Sequence, residues 1–240
     1  MQRASGLMAV SEASRQAYLR GYNISPNKIL LTRNGIDTQF FHPIENTDVI
    51  RSSLKIPSTD PVIMYSGFFT PRKGLEYLAQ AMQEIQPRTW LVLTGKWDQR
   101  FQDQFDTLLG SASSRVIYAG FVPDKEMPSY FSMADLYVSS SLLEGFGLPL
   151  AEALACETPV VAANAGAVAE VVGPGGVLVP PGDYHALAQA VSELLANPQK
   201  RINLGRLGRD HLIENFSNES MLNAYIEAYK RFQKKQPNSI

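Results

Sequence analysis

The chain has 240 residues, 45% of them hydrophobic and 19% charged, which is enough apolar material for a domain-sized core and too little charge for a disordered segment. Its 22 Lys+Arg against 23 Asp+Glu exclude a global cationic field, so nucleic acid is not an expected partner and any phosphate binding has to be local. The single Cys156 excludes an intramolecular disulfide, and no Cys/His cluster has zinc spacing, which fits a reducing compartment without structural metal.

At the front, MQRASGLMAVSEAS has no basic stretch leading into a long apolar core, and no apolar run in the chain nears the ~20 residues of a membrane span. The expected location is the cytoplasm, with peripheral attachment to the inner face of a membrane left open. LMAVS predicts a short strand, Glu12 to Gly21 a helix, and KILLTRNGID a strand ending in a turn. From residue 61, apolar runs alternate with helical patterns: PVIMYSG then Lys73 to Gln86, WLVLTG then Asp98 to Leu109, RVIYAGF then Asp124 to Ala134. The series continues with LYVSSS then Gly147 to Cys156, PVVAAN then Gly166 to Val172, and GVLVPP then Asp183 to Ala196. Continuous Val/Ile/Leu runs are strands buried on both faces, and strand-helix alternation requires parallel crossovers, so the fold class is a doubly wound α/β domain. Pro198 to about Gln233 reads as two helices broken near Phe216-Ser217-Asn218, with Ser217 as a cap and Tyr225, Tyr229 and Phe232 on one face.

In such a sheet the ligand crevice lies beyond the carboxyl ends of the strands. The segment SSSLLEGFGLPLAEALACETP, 139 to 159, leaves one strand end through a Gly-rich turn and enters a helix. Gly145 and Gly147 let backbone amides approach a ligand, Pro149 suits a first helical turn, and the free amides with the positive helix end favour an anion such as a pyrophosphate. Glu144 precedes that helix, in reach of a sugar held over the anion, and Glu152 lies inside it, able to accept two ribose hydroxyls. Read blandly, the turn is a common α/β loop with a solvated Glu. Gly145-x-Gly147-x-x-x-Ala151 also imitates a dinucleotide fingerprint, the mark of an oxidoreductase, but it is far from the first strand and the next strand ends in Asn164, not an acid.

In SGFFTPRKGLEYL, Gly67 ends a strand and Arg72-Lys73-Gly74 opens a helix. Adjacent cations at a helix start oppose its dipole by about 0.3 to 1 kcal/mol each, which suggests an anionic partner for Lys73, the alternative being a solvated pair. Gly95-Lys96 and Gly120-Phe121-Val122 end two further strands on the same rim. There a planar base can lie against the Phe121-Val122 backbone, or Phe121 can be core. Gly166 reads as a tight-packing glycine. His42, His185 and His211 read as solvated, and Asp135 as capping or pairing locally. No Asp-x-Asp pair offers a divalent metal a handle, so cationic and dipolar neutralisation is the expected mode.

Together these pieces resemble glycosyltransferase family 4 (glycosyl transferases group 1), in which two Glu with seven residues between them flank a GFG-type turn, here Glu144-GFGLPLA-Glu152. The segments SEASRQAYLRGYN and KILLTRNGIDTQFFHP are similar to that family's inter-domain crossing, and Gly67…Lys73-Gly74, Gly120-Phe121-Val122 and GVLVPPGD follow in matching order. The resemblance implies the carboxyl-terminal, nucleotide-sugar-binding half of a GT-B fold. Lys73 and Glu144 are then the catalytic pair: Lys73 on the diphosphate and Glu144 on the donor sugar's hydroxyls. Glu152 takes the ribose, and Phe146 to Leu148 reach sugar and phosphate through their amides. It implies retaining hexosyl transfer to an unidentified acceptor, with no cofactor beyond the nucleotide diphosphate sugar itself.

Two departures stand out. Phe68 occupies a place where many members carry a diphosphate-binding Arg, leaving Arg72 as partial substitute, and Ala167 and Ala169 replace Gly and Pro of a GG-x-P-E turn that keeps Glu170. By the same resemblance, residues 1–27 are expected to be the last strand and helix of an amino-terminal acceptor domain. Residues 28–197 are then the donor domain, and 198–240 helices that return to the acceptor domain, supplied in cis or in trans. A non-catalytic nucleotide-sugar-binding module is the alternative.

Overall fold

The computed structural model describes residues 4–97 and 99–233. Asp98, read above as a helix start, lies outside the described residues, as do 1–3 and 234–240 of the two outer segments.

The elements run β1 (Leu7–Ala9), α1 (Glu12–Gly21), β2 (Ile29–Leu31), α2 (Asp48–Ser53), β3 (Val62–Ser66), α3 (Leu75–Glu84), β4 (Trp90–Thr94), α4 (Gln99–Leu109) and β5 (Val116–Gly120). They continue with α5 (Met127–Met133), β6 (Leu136–Ser139), α6 (Leu148–Ala155), β7 (Val160–Ala163), α7 (Val168–Val172), β8 (Gly176–Val179), α8 (Tyr184–Leu195), α9 (Pro198–Asn215) and α10 (Asn218–Gln233). Six strands form one parallel sheet in the order β5-β4-β3-β6-β7-β8. The order reverses between β3 and β6, so the crevice of this doubly wound sheet opens past Ser66 and Ser139, between the two loops that carry Lys73 and Glu144.

Alternation along the strands divides the core. Val62 and Met64 join Tyr137, Phe131, Leu150 and Leu154 on one face, while Ile63 and Tyr65 join Leu78, Met82, Val138 and Val191 on the other. β3, β6 and β7 lie in the middle of the sheet and are buried nearly throughout, whereas edge strand β5 is half-buried. β1 and β2 form a separate parallel pair, Leu7 beside Ile29, so the strand read over 28–37 shortens to three residues and lies outside the main sheet. Helix starts shift where backbone chemistry demands it. Gly74 is left-handed (φ 59), so Lys73 closes a 3-10 turn, Pro71–Lys73, and α3 begins at Leu75.

The outer pieces are stitched on by named contacts. Ile36 N–H donates to Phe216 O at 2.8 Å, Arg209 donates to Thr38 O and Phe41 O at 3.0 and 3.1 Å, and the Phe232 ring fills the space a side chain at Gly6 would need. Ser217 caps α10, accepting from Ser220 N–H at 3.2 Å. Of the aromatic face expected there, Tyr229 points outward, 59% exposed. Asp135 does not pair locally: its carboxylate takes Arg51 (3.1 Å), Arg201 (3.0 Å) and the Val62 N–H (2.9 Å), pinning α2, α9 and β3 together. His211 is also not simply solvated, since its Nε2 lies 3.0 Å from Glu170 O. Among the described residues no helix is long and apolar enough to cross a membrane.

Candidate functional site

Two loops meet at the switch point. The turn after β3 docks on the loop after β6 through Leu142 N–H to Arg72 O (2.9 Å) and Ser140 Oγ to Lys73 O (3.1 Å). Gly74 makes this approach possible, because a Cβ there would stand 2.4 Å from Ser140 O. The result is an ionic cluster around Glu144, whose side chain is 9% exposed. Lys73 Nζ donates to Glu144 Oε1, Ser141 Oγ donates to the same oxygen at 2.8 Å, and Arg72 lies 3.5 Å from Oε2 while donating to Leu143 O. The two cations read as partners for an anion are thus both engaged by a distant residue, the acid expected to hold a sugar.

Just beyond Glu144 the chain turns through Gly145, Phe146 and Gly147 (φ 93) into α6. Among the described residues nothing accepts the N–H groups of Gly145, Phe146, Gly147 and Leu148, the condition that leaves a helix start able to take an anion. The Phe146 ring is buried, edge-on to Phe216, so only its main chain faces the crevice. Two cavities are reached from this motif, one at Glu152 and one at Glu144 and Gly145. The first, about 300 Å³, is reached by Gly67, Thr94, Lys96, Phe121, Val122 and Glu152. The second, about 510 Å³, lies between α1 and the turn, with Tyr18 and Ser14 on one side and Arg72, Glu144 and Gly145 on the other. Phe121 is 69% exposed and Phe68 68%; both belong to the rim of the first cavity, so the core reading of Phe121 is set aside, while Val122 is buried. Gly120 carries the strand end into that rim with φ 67.

The Glu152 carboxyl is pushed up to about 7, first by burial and then by the charge of Asp124 across the same cavity. The Tyr65 and Thr94 hydroxyls, at the ends of β3 and β4, have no hydrogen-bond partner among the described residues, and burial raises the Tyr65 phenol well above its usual range. The sequence gives no sign of Ser141, Asp124, Tyr65 or Thr94, because each acquires its place only through neighbouring strands. His42 is exposed, and His185 is exposed beside Glu84 at 2.8 Å.

Comparison with known proteins places the architecture. Residues 46–211 match the model of the family described as glycosyl transferases group 1. The chain belongs to that family. It is 29% identical to the alpha-maltose-1-phosphate synthase of Mycolicibacterium smegmatis over 96% of this chain and 64% of the relative, and 32% identical to the MMP alpha-(1->4)-mannosyltransferase of Mycolicibacterium hassiacum over 94% and 54%. Among solved structures it superposes on the sucrose-phosphate synthase from Thermosynechococcus elongatus with TM-score 0.85 at 30% identity, covering 95% of this chain and 58% of that one. It superposes likewise on Anabaena HepE in complex with UDP-glucose, with TM-score 0.85 at 25% identity, covering 96% and 64%. This group 1 chain has the Rossmann-like fold of the carboxyl-terminal GT-B domain and spans 54 to 64% of the length of these relatives. Membership in the family also removes the oxidoreductase reading of the Gly145 turn.

Proposed function

We propose that this chain is the donor half of a retaining hexosyltransferase, binding a nucleoside diphosphate sugar for transfer to an acceptor held mainly by another domain, in cis or in trans. The observation that carries the reading is the division of labour in Glu144-x7-Glu152: the two acids line two different cavities, Glu152 the first and Glu144 the second, with Lys73 on Glu144 and a row of unpaired amides in the turn between them. In this reading the nucleoside occupies the first cavity, with its base along Gly120, Phe121 and Val122 and its ribose hydroxyls on Glu152. Gly67 lets the chain pass close to the diphosphate, which lies against Lys73, Arg72 and the Gly145–Leu148 amides. The hexose extends into the second cavity over Glu144. The three-part division at 27/28 and 197/198 belongs to the same proposal.

Chemically, the departing diphosphate gathers negative charge as the anomeric carbon becomes oxocarbenium-like. Fixed amides stabilise that charge without reorganising, Lys73 adds to them once the diphosphate draws it from Glu144, and removing one such donor typically costs about 10²–10³ in rate. Glu144 positions the sugar by accepting its hydroxyls. Calorimetric titration with UDP, GDP, ADP and their hexose conjugates, beside Lys73→Ala and Glu152→Ala, tests the reading. Saturable binding of one nucleotide, weakened about tenfold or more by each change, supports it and names the base. A folded chain that binds none of them refutes it; tight binding without transfer once an acceptor domain is supplied leaves a non-catalytic binding module.

A further inference from the structure

Glu170 does not face the donor crevice. Its two carboxylate oxygens accept the N–H groups of Glu12 (2.9 Å) and Ala13 (2.8 Å) at the start of α1, 158 and 157 residues earlier in the chain. The next amide, Ser14 N–H, goes to the Ser11 side chain at 3.0 Å, and the Ser11 hydroxyl donates onward to Gly145 O at 2.8 Å. A helix start has orphan amides and a positive end, so a carboxylate bridging two of them makes a pair of charge-assisted hydrogen bonds, stronger than neutral ones. The base of Glu170 is equally fixed. Ala167 N–H donates to Glu144 O at 3.0 Å, and Gly166 (φ 65) lets the chain pass where a Cβ would stand 2.1 Å from that carbonyl. The carbonyls of Glu144 and Gly145 are therefore both held by the two pieces that Glu170 joins.

We propose that Glu170 is a positioning residue: it clasps α1 to the turn after Glu144 and so sets the width of the 510 Å³ cavity in which the sugar part of the donor is read. The proposal rests on the donor reading above, and it assigns the clasp mainly to sugar recognition, because the nucleoside cavity touches neither α1 nor α7 and the diphosphate keeps Lys73, Arg72 and the Gly147 and Leu148 amides, which the clasp does not hold.

The test compares the whole chain with Glu170→Gln and with Ser11→Ala, which cuts the second strand of the clasp should the first variant fold poorly. The probes are UDP, GDP and ADP, each beside UDP-glucose, GDP-mannose and ADP-glucose. Expected are a nucleotide Kd within twofold of the parent, a loss of at least fivefold in the affinity added by the sugar, and amide exchange at Glu12 and Ala13 about tenfold faster in Glu170→Gln. Equal weakening of nucleotide and nucleotide sugar would reduce Glu170 to a general structural contact. A parent chain that binds both kinds of probe alike, or unchanged exchange at Glu12 and Ala13, would overturn the proposal. If the parent binds no probe at all, the donor reading and the sugar role fall together, while the exchange rates still decide whether the clasp forms.

Discussion

Raising the pH from 6 to 8 titrates Glu152, whose carboxyl burial and Asp124 push up to about 7. If its ionised form accepts two ribose hydroxyls, binding selects that form, and apparent affinity follows the ionised fraction. That fraction rises from about one in eleven at pH 6 to about ten in eleven at pH 8, so affinity should increase about tenfold and binding should release a proton below pH 7. A nucleotide sugar is the right probe, because its diphosphate has no terminal phosphate titrating near pH 6. Calorimetry in buffers of different ionisation enthalpy, repeated with Glu152→Gln, reads both quantities. A profile that is flat in the parent chain, or a slope that persists in the Gln variant, refutes the assignment.

Glu152 also governs stability. Its folded carboxyl sits above the ordinary 4.5, so between pH 4.5 and about 7 the unfolded chain loses a proton that the folded chain keeps, and stability falls as pH rises. Glu152→Gln should therefore gain up to about 3 kcal/mol at pH 8 and almost nothing at pH 4.5 in urea unfolding. Asp135→Asn leaves Arg51 and Arg201 against a neutral amide and should destabilise the fold by about 3 kcal/mol by the same measurement. Gly166→Ala combines a left-handed backbone with a clash on Glu144 O and should lose about 2 kcal/mol or more, read as a lowered Tm. Glu144→Gln releases Lys73 and Arg72 and should tighten the free nucleoside diphosphate several-fold while removing preference for the sugar, measured by paired titrations.

The sheet was readable because its central strands are buried on both faces: runs such as VIMYS, LYVS and VVAA admit no polar face, and the helices between them force parallel crossovers. The Glu144-x7-Glu152 motif was readable because a short loop and helix fix its geometry locally. What escaped depends on distant contacts. No pattern near Lys73 announces that its ammonium lies on Glu144, and the same holds for Asp135 between two arginines and for Glu170 at the foot of α1. The helix start at Leu75 was a local misreading with a local cause, since Gly74 needs the left-handed region that the close approach to Ser140 imposes.

On the donor reading, the ionic cluster accounts for a preference that neither cation could supply alone. Lys73 and Arg72 share one nearly buried carboxylate, so the positive charge of the pair is already partly neutralised before a phosphate competes for it. A free nucleoside diphosphate that draws Lys73 away leaves Glu144 buried with only Ser141 and Arg72 as partners, and an under-paired buried charge is unfavourable. A nucleotide sugar brings hydroxyls that donate to the same carboxylate and offset that loss. After transfer the hydroxyls depart with the product sugar, Glu144 again competes for Lys73, and the remaining diphosphate is held less firmly. On the donor reading, then, the carboxylate that selects the loaded donor is also the group that helps expel the spent one.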